Sequence, residues 1–194
     1  MYKEYARHVW RYERYLWHAA RMVGVPRSAT AWFIVTDLWQ RARTWHAYAT
    51  RFYGPTSDPE RWISEFAGTA HGGRPVPLAV LDSEELRRGE KALGFARSTV
   101  ETNYDRARLG VLHRSPASWT YYLLRDERKV APDVLEMPPL QVQLMVADWL
   151  AAARDQTGEW DAGVVRKWWT FRKHAIALHP TSRKLVERLL WEQL

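Results

Sequence analysis

The sequence contains no cysteine, which excludes disulfides and cysteine-based metal sites and points to a reducing compartment. No apolar run approaches the roughly 20 residues that span a bilayer. The polar start, Met1-Tyr2-Lys3-Glu4-Tyr5, lacks the apolar core of a secretion signal. A cytoplasmic protein with no membrane partner is therefore expected. Several enzyme signatures are also absent: there is no P-loop, no dinucleotide glycine motif, no Gly-x-Ser-x-Gly and no His-Glu-x-x-His.

What is present reads as one globular domain spanning residues 1–194, with 46% hydrophobic and 26% charged residues. The formal charge is +7, a balance that suits a nucleotide or nucleic-acid partner. The basic residues look spread along the chain, and Arg87-Arg88 and Arg125-Asp126-Glu127-Arg128-Lys129 are short. Most of this charge is accordingly read as solvated helix surface. Tryptophan is abundant, at 12 residues. Trp10 and Trp17 are seven apart, as are Trp32 and Trp39, so each pair shares a helix face. With Trp149 they are expected to be core. Adjacent Trp168 and Trp169 diverge by about 100° on a helix, which places at least one of them near the surface.

The chain reads as helical almost throughout. A first helix runs from about Lys3 to Val23 and stops at Gly24-Val25-Pro26. Ser28 or Thr30 caps a second, to about Tyr53. Ser57 or Asp58 caps a short third helix that has Pro59 at its first position. Thr69 to Pro77, with His71-Gly72-Gly73, is loop. Asp82-Ser83-Glu84-Glu85 forms a capping box that opens a long helix to about Leu112. Pro116 starts a short helix through Leu124, and Arg125 to Pro139 is loop or hairpin. Pro139 leads a helix to about Asp155, Asp161 caps one to about Ala177, and Thr181 caps the last. The fold class is all-α, a compact bundle of about seven to eight helices.

Two stretches carry a resemblance. They are Leu135-Glu136-Met137-Pro138, followed by Met145-Val146-Ala147-Asp148-Trp149-Leu150, and Leu178-His179-Pro180-Thr181-Ser182-Arg183-Lys184-Leu185-Val186-Glu187. Together they resemble an uncharacterised family of small helical proteins from phage and bacterial genomes. That family carries a His-Asp-x-Ser-Lys-Phe motif and a His-Arg-Asn-Pro-His-His-Trp motif, metal-ligand clusters of the HD-phosphohydrolase type. Here the first motif reads Thr36-Asp37-Leu38-Trp39-Gln40-Arg41 and the second His113-Arg114-Ser115-Pro116-Ala117-Ser118-Trp119.

The resemblance implies a metal site at Asp37, His113 and Asp148. Tyr12 stands at the position of a first-helix histidine, His8 lies one turn earlier, and Thr36 replaces the histidine of His-Asp. Ala117 and Ser118 replace two further histidines. A tight transition-metal site rests on neutral imidazoles, so their loss argues against one, although two carboxylates and one histidine can still hold Mg²⁺ or Mn²⁺.

Structural readings compete with the metal reading. Asp37 can pair with Arg41, four residues on. Asp148 lies in an apolar run and needs a donor such as Tyr12, Arg11 or His113. His113 can cap helix carbonyls.

The expected function is that of a non-catalytic, degenerate member of the HD-like family. It needs no cofactor and works through a protein partner, a second copy or a structural role, including a place in a phage virion. One alternative is a nucleotide phosphohydrolase using Mn or Mg. The other is a protein that sequesters a nucleotide or nucleic acid.

Overall fold

Helix-breaking residues set the element boundaries. The computed structural model describes residues 2–70, 75–124 and 131–194. Among them lie seven α-helices: α1 (Tyr2–Met22), α2 (Arg27–Tyr53), α3 (Pro59–Ala70), α4 (Ser83–Leu112), α5 (Pro139–Thr157), α6 (Ala162–Arg172) and α7 (Pro180–Arg188). The fold is all-α, with one minimal hairpin in which β1 (Leu123–Leu124) pairs antiparallel with β2 (Asp133–Val134). The expected His71-Gly72-Gly73 loop and the basic run 125–129 lie outside the described residues. No helix among the described residues is long and apolar enough to cross a membrane.

Local chemistry explains the helix ends. Gly24 and Gly158 take φ values of 77° and 80°, the left-handed conformation that lets the chain leave α1 and α5. The Asp82 box forms as expected: Asp82 Oδ1 accepts from the Glu84 and Glu85 amides, and Glu85 accepts from the Asp82 amide at 3.1 Å. Asp161 caps α6 through the Gly163 amide. Two sequence-based expectations shift. The cap of α7 is His179, not Thr181, because Pro180 takes the first helical position and His179 Nδ1 accepts from the Thr181 amide. The segment after Pro116 forms only a short 3₁₀ turn, Trp119–Tyr122, before the strand begins.

The chain divides into two compact units, residues 1–7 with 42–109, and residues 8–41 with 110–194. The first has a small core of Ile63, Ala67, Leu81 and Leu93. Aromatic contacts, such as Tyr48 edge-on to Tyr104 at 5.0 Å, and the Arg51–Glu101 pair at 2.7 Å join its segments of α2 and α4.

The second unit holds the larger core, built on Leu16, Val23, Met137, Val142, Met145, Val146, Trp169, Val186 and Leu190. Here the two stretches that carry the family resemblance meet. The Met137 amide donates to Ser182 Oγ at 2.9 Å, and Ser182 Oγ donates to the Met137 carbonyl. Both residues are buried, so this exchange satisfies a peptide group that would otherwise lose water without compensation.

The tryptophan expectation needs correction. Trp10, Trp32 and Trp39 are 67%, 71% and 57% exposed, and Trp17 and Trp149 are only half-buried. The seven-residue spacing does put Trp32 and Trp39 on one face of α2. However, the inward face is the opposite one, carrying Thr30, Phe33 and Ile34. Spacing tells which residues share a face and is silent on which way that face points. The adjacent pair behaves as expected: Trp169 is fully buried and Trp168 is exposed.

Candidate functional site

Five polar side chains gather inside the second unit. Tyr12 and Glu13 come from α1, Asp37 and Arg41 from consecutive turns of α2, and Asp148 from the middle of α5. Each helix supplies its polar group from the face that otherwise packs the core. Glu13, for instance, shares its face with the buried Val9, Leu16 and Ala20.

Arg41 is the hub. Its Nε donates to Asp37 Oδ2 and lies 3.6 Å from Glu13 Oε1. Its guanidinium sits 4.8 Å from the centre of the Tyr12 ring, within cation–π range. The Tyr12 hydroxyl donates to Asp148 Oδ1 at 2.6 Å. Asp148 thus finds the Tyr12 partner expected of it, and Asp37 pairs with Arg41.

Burial controls the protonation states. Loss of water opposes the charge on Arg41, but Asp37 beside it more than compensates and raises its pKa. Burial and the charge of Asp148 push the Tyr12 hydroxyl well above its usual range. Burial also raises Asp148, against the lowering effect of the Tyr12 hydrogen bond. Glu13, 3% exposed, is pushed up to about 9, first by burial and then by the neighbouring Asp37. As a carboxylate it finds no donor within hydrogen-bond reach among the described residues. Protonated, it donates to Asp37. At neutral pH Arg41 therefore sits beside a protonated Glu13 and a neutral Tyr12 phenol, with Asp37 as its direct partner.

The raised Glu13 acid couples folding to pH. Below pH 4.5 both folded and unfolded chains hold its proton; between there and about pH 9 only the folded chain does. Its stabilising contribution is full at low pH and is lost as pH rises through that window, by at most about 1.4 kcal/mol per pH unit. Asp148, also raised, acts with the same sign. Glu13→Gln keeps a donor toward Asp37 and has no proton to lose. It should flatten the decline and stabilise the protein by about 1–3 kcal/mol near pH 8. Denaturant titrations at mildly acidic and mildly alkaline pH check this, and parallel pH profiles for the two proteins would contradict it.

The other sequence-predicted residues lie elsewhere. His8 belongs to a neighbouring group, where Arg11 donates to its Nδ1 at 3.2 Å and to Asp155 at 3.1 Å. Accepting that bond requires the neutral ring, in keeping with a pKa lowered mainly by burial. Thr36 donates to the Phe33 carbonyl of its own helix. His113 is exposed in the turn after α4 and, among the described residues, makes no hydrogen bond or ion pair with Asp37 or Asp148.

An HD-type metal does not fit these residues. It needs neutral imidazoles and free carboxylate oxygens, whereas Asp37 is held by Arg41, Asp148 by Tyr12, and His113 lies away from both. Among the described residues no group of three or more His, Cys, Asp or Glu is arranged to hold a metal ion. A carboxylic acid with a pKa near neutrality or above is often a general acid. Glu13, however, is only 3% exposed and is enclosed by its partners.

Sequence reasoning missed Glu13 and took Arg41 only as an i,i+4 partner of Asp37. The signal for Glu13 was present, since an acid four residues after Val9 and three before Leu16 interrupts an apolar stripe.

No protein-family model matches the chain, and neither a curated protein nor a solved structure shows significant similarity to it.

Proposed function

We propose that this is a non-catalytic binding protein on an HD-phosphohydrolase-like helical scaffold, in which an internal arginine stands where the related enzymes place a metal cation. The phage or bacterial setting implied by the resemblance, and a cytoplasmic or virion location, belong to the same proposal. The observation that carries it is Arg41, whose guanidinium engages Asp37 and sits beside Glu13 and Tyr12. A positive charge already inside the carboxylate group leaves neither ligand oxygens nor an electrostatic need for a divalent ion. The exposed Trp10, Trp32 and Trp39 suit a protein that works through its surface, because apolar area of this kind marks interaction sites.

The phosphohydrolase alternative requires Asp37, His113 and Asp148 to converge on a metal. Elemental analysis of the purified protein should find Mn, Fe and Zn far below one per chain. Nucleotides incubated with it and Mn²⁺ should release no phosphate above background. Close to one metal per chain, lost in Asp37→Ala, would overturn the proposal.

A further inference from the structure

Net charge is less evenly distributed than the scatter of basic residues suggests. Residues 162–194 contain seven Lys and Arg against two Glu, which places five of the seven net positive charges in this one segment. The segment folds as α6, α7 and a final π turn, Leu189–Gln193. Between them runs an open groove of about 460 Å³, lined among others by Lys173, Lys184, Arg188 and Trp191.

The cations divide by role. Arg166 donates to the Leu190 carbonyl at 2.6 Å, and Arg183 donates to the Lys173 and Ile176 carbonyls, each at 2.7 Å. These two arginines tie the walls together. The side chains of Lys173, Lys184 and Arg188 make no ion pair or hydrogen bond among the described residues, and they line the groove. Aromatic rings lie in the same segment. Trp191 is 50% exposed in the groove, and Phe171 and Trp168 on α6 are 82% and 41% exposed.

From this arrangement we infer that the α6–α7 groove binds single-stranded nucleic acid. Unpaired cations beside the exposed Trp191 ring match the two needs of such a ligand, phosphates to neutralise and a base face to stack. A duplex hides its base faces and would leave that ring unused. A compact polyphosphate would bring several charges against Glu187 and Glu192, which also line the groove. A single strand spaces its phosphates and lets bases lie between them. The groove's lining runs from Thr170 and Lys173 at the end of α6 to Arg188 and Trp191 on the other wall, a short site for roughly four nucleotides or fewer, the low end of single-strand site sizes. This inference is separate from the state of the buried Arg41 group and does not depend on it.

Fluorescence anisotropy of labelled 12-nucleotide deoxythymidine and uridine strands tests it, using the full chain at low salt. Wild type should bind at least one of the two, and the tighter one identifies DNA or RNA as the preferred source. Affinity should fall with added salt with a logarithmic slope of about −2, for three phosphate contacts. Trp191→Ala, at a half-exposed position lining the groove, should weaken binding by about 5- to 100-fold with melting temperature unchanged. Lys184→Glu with Arg188→Glu should weaken it at least as much. Arg87→Glu with Arg88→Glu, the same charge change elsewhere, should have a far smaller effect.

Three results would overturn the inference. They are no binding of either strand, equal losses from the two charge-reversal pairs, and a duplex bound as tightly as the single strand with no effect of Trp191→Ala. None of them bears on the metal content that tests the function proposed above.

Discussion

Arg41→Ala is expected to destabilise the protein by about 2–4 kcal/mol, at and below the lower part of the range for removing one partner of a buried ion pair, because Arg41 and Asp37 are mostly but not fully buried, at 19% and 15% exposed. The loss has several parts. Asp37 keeps its position but loses the donor that holds it. Burial still raises Glu13 and Asp148, now without a nearby positive charge to counter it. The Tyr12 ring loses the cation stacked on its face. The remaining acids would respond by taking up a further proton, so the variant should also lose stability more steeply as pH rises.

Arg41→Met with Asp37→Asn removes both charges and retains much of the volume. It should cost clearly less than the sum of the single changes, because neither leaves the other buried and unpaired. Urea unfolding of the two single variants and the double variant measures this. A loss below about 1 kcal/mol for Arg41→Ala would mean that solvent replaces the guanidinium readily, and the closed-cluster reading would fall with it.

The second large effect separates tryptophans by where they sit. Trp169→Ala should cost about 3–5 kcal/mol, as expected for deleting a buried aromatic side chain. Trp169 is fully buried, stacks on Trp149 at 5.6 Å and carries the Arg183 guanidinium over its ring at 5.6 Å. Removing it opens a cavity between α5 and α6 and frees an arginine that ties backbone carbonyls together. Its indole N–H has no acceptor among the described residues. Trp169→Phe gives up no hydrogen bond and should therefore cost much less than Trp169→Ala. Trp32→Ala, at an exposed position, should change stability by no more than about 0.5 kcal/mol. Comparable losses for Trp32→Ala and Trp169→Ala would restore the core assignment that spacing alone suggested for Trp32.

The sequence by itself determined the helices and most of their ends. Glycine at 24, the Asp82 box and Asp161 each act through contacts within a few residues, and short-range contacts are written in the order of the chain. The Asp37–Arg41 pair was legible for the same reason, one helical turn apart. The excess of positive charge in residues 162–194 could also be counted from the sequence.

Tertiary structure decided the rest. Which face of α2 turns inward depends on its neighbours, so Trp32 and Trp39 point outward although their spacing fits a core stripe equally well. Glu13 holds its proton because packing buries it and brings it beside Asp37. Tyr12 closes on Asp148 across 136 positions of sequence. His113 shares a motif with the expected ligands and still stays in solvent. The groove forms where Arg166 ties α6 to Leu190 and Arg183 ties α7 to the segment after α6. Burial and long-range pairing set the charge state and access of each of these groups, and neither property belongs to a residue until the chain has packed.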